Sequence, residues 1–192
     1  MSLTAREHAL YMLRYSRWAT KQLMLSLRQQ LSAEQLSKEV VRVFPNEGSI
    51  LNLLAHVAAG EKLWFSRVQF DRCTQEQLSP LWRASNDVQC GRFIDLFRRN
   101  NDTSLEVLDR IEKELYNLNA QWKAYVRDSD MGTLEYQDSS GSTMHIEIPR
   151  LLAHLCNHAT HHRGQVTAAM STFPNVTVPG IDLLYFRDDE EH

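Results

Sequence analysis

The sequence predicts an all-α protein, a four-helix bundle, and three observations carry that expectation. Four long stretches repeat apolar residues at three- and four-residue steps, the period of one helix face. Pro and Gly number only five and seven, and most of them punctuate the gaps between those stretches. The second and third stretches are joined by a polar segment, 71–85, which carries Pro80 and reads as a long crossover of the kind bundles use.

The first helix is expected over 4–31. Ala9, Met12, Leu13, Ala19, Leu23 and Leu27 form one stripe, and Tyr11, Tyr15, Trp18 and Leu25 form an adjacent one. Together they make the broad apolar face of a bundle helix. Residues 32–48 read as a loop ending in Pro45-Asn-Glu-Gly48. Ser49 is a good N-cap for a second helix over 49–70, whose face holds Ile50, Leu53, Leu54, Val57, Trp64 and Val68, with His56 on its edge. Gly60 follows His56 by one turn. A glycine inside a helix costs roughly 1 kcal/mol against alanine, so it calls for a reason: close helix approach, or space beside His56.

A third helix is expected over 86–122, with Phe93, Leu96, Phe97, Leu108, Ile111, Leu115 and Leu118 as its stripe. Residues 134–148, LEYQDSSGSTMHIEI, alternate around Ser-Ser-Gly and suggest a small hairpin. Pro149 suits the first turn of a fourth helix, which Pro174 stops at about Phe173. The segment IDLLYFRDDEEH adds a short C-terminal turn or helix with a solvated acidic end.

At 192 residues the chain fits one domain, 1–192. A net charge of −3 and scattered Lys and Arg give no footprint for nucleic acid. No run approaches eighteen apolar residues, so no membrane span is expected. The opening MSLTAREHAL lacks the pattern of a signal peptide. Cys73, Cys90 and Cys156 are odd in number and lack a C-x-x-C pair, which points to a reducing compartment, the cytoplasm.

The chemistry concentrates in HLCNHATHHRGQ, residues 154–165. Four of the eight histidines lie here. At about 100° per residue, His154, His158, His161, His162 and Gln165 share one arc roughly 100° wide. Cys156 and Arg163 fall about 160° and 140° from His158 on the same wheel, and so point elsewhere. Two histidines one turn apart can reach a single ion, and imidazole suits Zn²⁺, Ni²⁺, Fe²⁺ and Cu²⁺. Four histidines on one arc favour that over a merely solvated polar face. A third ligand must come from another helix, and His56 is the only other mid-helix histidine facing a core. His8 is near one end, His145 lies in the hairpin, and His192 is the last residue.

These residues also carry a resemblance. NHATHHRGQ is similar to the last-helix signature of the DinB-like (damage-inducible, YfiT-related) superfamily. Tyr15-Ser-Arg-Trp18-Ala resembles that family's first-helix Y-N-x-W-A pattern, with Ser16 where Asn is usual. LLAHVAAGEKLWFSR, between Ser49 and Arg67, resembles its second helix, and Ile181-Asp-Leu-Leu its C-terminal D-L segment. The resemblance implies a four-helix bundle, a homodimer, and one divalent metal held by His56, His158 and His162. It casts His154 and His161 as neighbours that orient ligands or line the pocket. Family members with known chemistry include thiol-dependent enzymes, a mycothiol-dependent maleylpyruvate isomerase and bacillithiol-type S-transferases.

Three neutral histidines would leave the site with a 2+ charge and an open position, the catalytic rather than the structural pattern. The expected function is metal-dependent thiol (S-) transfer to an electrophilic small molecule. The alternatives are a metal-dependent hydrolase or a non-catalytic, stress-associated metal-binding bundle. Zinc or nickel is the expected ion, with iron or manganese behind them. No general base stands out: His161 and His154 are the candidates, and Glu61 lies about 140° around the helix from His56. Tyr15 and Trp18 would wall the pocket if the first helix faces the metal. Cys156 reads as a small buried hydrophobe, Gly164 as a site of close helix packing, and Arg163 as the partner of a carboxylate elsewhere.

Overall fold

Local chemistry starts each helix. Thr4 caps α1 (Ala5–Gln30): its hydroxyl accepts from the Glu7 amide at 3.2 Å, while the Glu7 carboxylate accepts from the Thr4 amide at 2.8 Å. Such reciprocal capping satisfies two otherwise orphaned donors. Ser32 and Gln35 repeat the device at α2 (Ala33–Ser37), and Ser49 accepts from the Asn52 amide at the start of α3 (Ile50–Gln69). Thr103 and Glu106 do the same for α4 (Ser104–Asp128). Pro149 occupies the first turn of α5 (Ile148–Met170), where no amide is needed. The structure, a computed structural model, describes residues 3–43, 46–69, 93–138 and 140–188.

Four of these helices build the bundle. α1 packs on α4 and α5, and so does α3, which sets α1 and α3 on one diagonal and α4 and α5 on the other. The cross-links fix their directions. Arg6 at the start of α1 donates to the carbonyls of Val126 and Ser129, at the end of α4, whereas Arg28 at its far end pairs with Asp109 and Glu112. α1 and α4 are therefore antiparallel. α3 runs alongside α4: Lys62 pairs with Glu114, and the Phe65 ring packs on Trp122 further along both helices. Against α5 it runs antiparallel, with His56 beside His162 and Trp64 beside His154. α3 and α4 therefore share a direction, and the segment expected to cross between them, 71–85, lies outside the described residues.

Apolar faces meet inside this frame. Leu23, Leu27, Ile50, Leu53, Leu108 and Ile111 are among the side chains shut off from solvent in one half, and Trp122, Leu151 and Val126 anchor the other. Each such large side chain contributes about 1.5–3 kcal/mol of burial free energy. The strands β3 (Thr133–Gln137) and β4 (Thr143–Glu147) form the expected hairpin, pairing Thr133 with Glu147 and Gln137 with Thr143. Its turn is tied by the Asp138 carboxylate, which accepts from the Ser140 and Ser142 amides, and Gly141 takes φ 83° there, a conformation that favours glycine. Arg67 docks the hairpin on α3, its guanidinium lying over both Trp64 and Tyr136.

Three expectations need correction. Residues 32–48 are more than a loop: besides α2 they form β1 (Val41–Val43) paired with β2 (Asn46–Gly48). The Ser32–Gln35 caps and the fully buried Leu36 hold that segment in place. The third helix does not run unbroken through 93–122. Phe93–Leu96 is a single 3-10 turn, Asn101 sits at φ 68°, and a new helix begins after Thr103 and continues to Asp128. A left-handed residue followed by a capping box ends any helix approaching from upstream. Leu25 and Leu96, placed on buried stripes, are exposed. The start of that helix at 86, the crossover residues 71–85 with Pro80, Cys73 and Cys90, and the acidic end beyond Asp188 with His192, lie outside the described residues. The C-terminal segment forms a 3-10 turn, Leu183–Tyr185, capped by Asp182.

Candidate metal centre

Antiparallel packing of α3 on α5 sets one edge histidine against two that are a turn apart. His56, His158 and His162 each offer a ring nitrogen, and these nitrogens lie within 4.8 Å of one another. His158 Nε2 is 3.1 Å from His56 Nε2 and 3.1 Å from His162 Nε2. A tetrahedral ion with metal–nitrogen bonds of about 2.0–2.1 Å would hold its ligand nitrogens roughly 3.3 Å apart. The spacing and the all-imidazole donor set therefore fit one divalent cation, and the three histidines can hold one.

Burial prepares them for it. It lowers the pKa of His158 to about 3, with further help from the charges of His162, His56, His154 and His161. Burial first and then His162 lower that of His56 to about 4. His162 is lowered too, chiefly by burial, against a raising hydrogen bond to Gln165. At neutral pH all three are uncharged, the form that ligates metal. Phe93, from the 3-10 turn, packs edge-on against the His56 ring at 4.6 Å between centroids. Gly60 faces the cluster as well, but beside His158 rather than His56: a methyl there would stand 3.5 Å from His158 Cε1.

The other sequence candidates fall around this centre. His154 and His161 are exposed and outside the triad, their rings 5.8 Å from His158 and 5.0 Å from His162. His145 pairs with Glu135 on the hairpin, and His8 lines a cavity of about 320 Å³ between α1 and α5. Cys156 lines the same cavity, and burial pushes its thiol up to about 12, so it is an inert apolar group as expected. Tyr15 and Trp18 do not wall the centre. They pack with Tyr11 and Phe186 on the other side of α1, because α1 lies diagonally across the bundle from α3.

Arg163 turns away from its neighbour His162 into the α1–α5 seam. It is only 4 % exposed. Its guanidinium donates to the Ser16 hydroxyl at 3.0 Å and to the Thr160 hydroxyl at 2.8 Å, and it lies over the Tyr15 ring. Its direct partners among the described residues are thus hydroxyls and a ring. The nearest carboxyl influence is Glu61, whose pKa burial raises to about 7 against the pull of Arg163. Tyr15 in turn donates to the Ile181 carbonyl at 3.0 Å. Ser16, Arg163 and Ile181, three separate motif segments in the sequence, therefore meet in one knot. Gly164 meets nothing within 4 Å, so it does not serve close packing.

The bundle and its three-histidine cluster define a helical protein equipped to hold a metal ion. The family model described as DinB family matches residues 1–191, and the chain belongs to the DinB family. It is similar to "Protein DinB" of Bacillus subtilis (strain 168), 23% identical over 158 residues that cover 81% of this chain and 80% of that protein. No solved structure matches the chain significantly. Among the described residues, no helix is long and apolar enough to cross a membrane.

Two contacts at the centre, Gln165 with His162 and Phe93 with His56, were not expected from the sequence. The first was foreshadowed by the place of Gln165 on the histidine arc. The second had no signal, because the spacing of Phe93 and Phe97 fits a helical stripe.

Proposed function

We propose that this protein binds one divalent metal ion through His56, His158 and His162 and uses it to transfer a low-molecular-weight thiol to an electrophilic small molecule. The observation that carries the reading is the convergence of three neutral imidazoles from facing helices, with no carboxylate or cysteine joining them among the described residues. Such a set leaves a 2+ charge uncompensated, which favours an anionic ligand. A bound zinc or nickel ion would supply Lewis-acid chemistry there, lowering the pKa of a thiol and holding its nucleophilic anion. Around it the chain provides a proton acceptor at the rim, His154 or His161, both exposed beside the triad. Phe93 and the fixed helix backbones keep the ligand rings in place. The odd cysteine count, with Cys156 free, supports a reducing compartment such as the cytoplasm. We infer a homodimer from the family likeness.

Metal content by mass spectrometry on tag-free protein, beside His56→Ala and His158→Ala, tests the site. One equivalent of a single metal in the wild type, absent from both variants, supports it. Screening the loaded protein for thiol conjugation and for hydrolysis of the same electrophiles then separates transferase from hydrolase. Activity in neither assay leaves the non-catalytic bundle.

A further inference from the structure

We propose that Gln165 is a positioning residue: its side-chain carbonyl holds His162 as the Nδ1–H tautomer and so turns the bare Nε2 toward His56 and His158. The inference builds on the three-histidine reading but can be tested apart from it. His162 Nδ1 lies 2.6 Å from Gln165 Oε1, and its Nε2 lies 3.1 Å from His158 Nε2. A neutral imidazole has one N–H donor and one acceptor nitrogen. A carbonyl oxygen only accepts, so the proton belongs on Nδ1 and the lone pair on Nε2, inside the cluster. Reversing the amide would present an N–H₂ donor to Nδ1 and force the proton onto Nε2, into the very space where three ring nitrogens converge.

Helix geometry makes the arrangement a local one. Gln165 follows His162 by three residues on α5, so both side chains rise from the same face. His162 is the most buried of the three histidines, 3 % exposed, and can least exchange its partner for water. The choice of an amide also sets the charge. A carboxylate at this position would orient the ring equally well but would raise its basicity and cancel part of the charge of a bound cation. Gln165 orients the ligand while leaving the 2+ charge of the site intact for an anionic substrate.

The test uses the full-length protein, first without metal. Two-bond ¹⁵N–¹H correlation spectra report which nitrogen of His162 carries the proton. Wild type should show the Nδ1–H pattern, Gln165→Leu a mixture, and Gln165→Glu the wild-type pattern again. Zn²⁺ affinity, measured by chelator competition, should fall about 10–100-fold in Gln165→Leu, the usual cost of losing an outer-shell partner, and recover in Gln165→Glu. Gln165→Ala serves as a second truncation should the leucine variant fold poorly. An Nε2–H pattern in the wild type overturns the inference, as does a truncation that keeps both tautomer and affinity. A wild-type protein that shows the Nδ1–H pattern yet binds no zinc upholds the positioning role while removing the metal reading.

Discussion

His162 and Arg163 are neighbours in the chain, yet they face different seams of the bundle and meet burial in opposite ways. His162 enters the α3–α5 seam, where burial is relieved by giving up a proton, and the result is a cluster of neutral rings. Arg163 enters the α1–α5 seam, where the guanidinium cannot give up its charge. There the surroundings supply two hydroxyls and an aromatic face. One seam has donors to spare for a foreign cation; the other is occupied by a cation of its own. A single residue step, about 100° around the helix, thus separates a cluster able to take a cation from a clamp that is already filled.

The largest effect should come from exchanging the roles of the two seams in a pair of variants. His158→Ala should weaken Zn²⁺ binding by more than about 100-fold, since losing only an outer-shell partner costs up to that much. It should leave the urea midpoint almost unchanged. Arg163→Ala should do the reverse, keeping zinc affinity within a few-fold and lowering unfolding free energy by about 3 kcal/mol, through lost charge-assisted hydrogen bonds and an unfilled space. Arg163→Met should cost less, because an apolar side chain of similar length fills the seam without a desolvated charge. If Arg163→Ala removed the metal as well, the two seams would be one functional unit and the comparison would fail.

A smaller effect is expected from pH, again with opposite signs on the two sides. In the metal-free protein His56 and His158 have pKa values of about 4 and 3, against 6.5 for the ordinary group. The unfolded chain therefore binds protons first. Stability is full above about pH 6.5 and declines as the pH falls toward these folded values. Glu61, in contact with the field of Arg163, is raised to about 7 from 4.5, so its contribution is full below pH 4.5 and is lost as the pH rises through 7. The two trends oppose each other in the same window. Denaturant unfolding of Glu61→Gln should show the histidine slope steepened, and adding His158→Ala should flatten it. A profile unmoved by His158→Ala would mean that the cluster is already open to water.

The bundle was legible in the sequence because long helices announce themselves through period and caps, and Ser49 and Pro149 act where they were expected to. The short elements were not legible. α2 depends on the burial of Leu36, and the break before Thr103 was hidden by Phe93 and Phe97, whose spacing imitates a helix stripe. One helix wheel put four histidines on a single arc and another set His56 at the edge of a core face, while the choice of His158 and His162 among the four was what the family resemblance implied. What escaped were contacts made only in three dimensions: Phe93 on His56, and Ser16 under Arg163. Tyr15 and Trp18 were misplaced because periodicity gives the faces of α1 but not which of three other helices each face meets.

The smallest effects sharpen the comparison through the two glycines, one on each side. Gly164 is exposed and has nothing within 4 Å, so Gly164→Ala should raise stability by up to about 1 kcal/mol from helix propensity alone. Gly60→Ala should bring a similar gain, because a methyl 3.5 Å from His158 Cε1 is in ordinary contact rather than collision. Zinc affinity should stay within about twofold of wild type in both, since no ligand or orienting partner changes. Gly60→Val should differ: its branches reach further toward a ring already held between two others, and β-branching lowers helix propensity besides. Chelator competition on the three variants reads this directly. Weakened zinc binding in Gly60→Ala, alongside unchanged binding in Gly164→Ala, would show that His158 needs the open space itself. Gly60 would then be kept for movement of that ring, not for its fit.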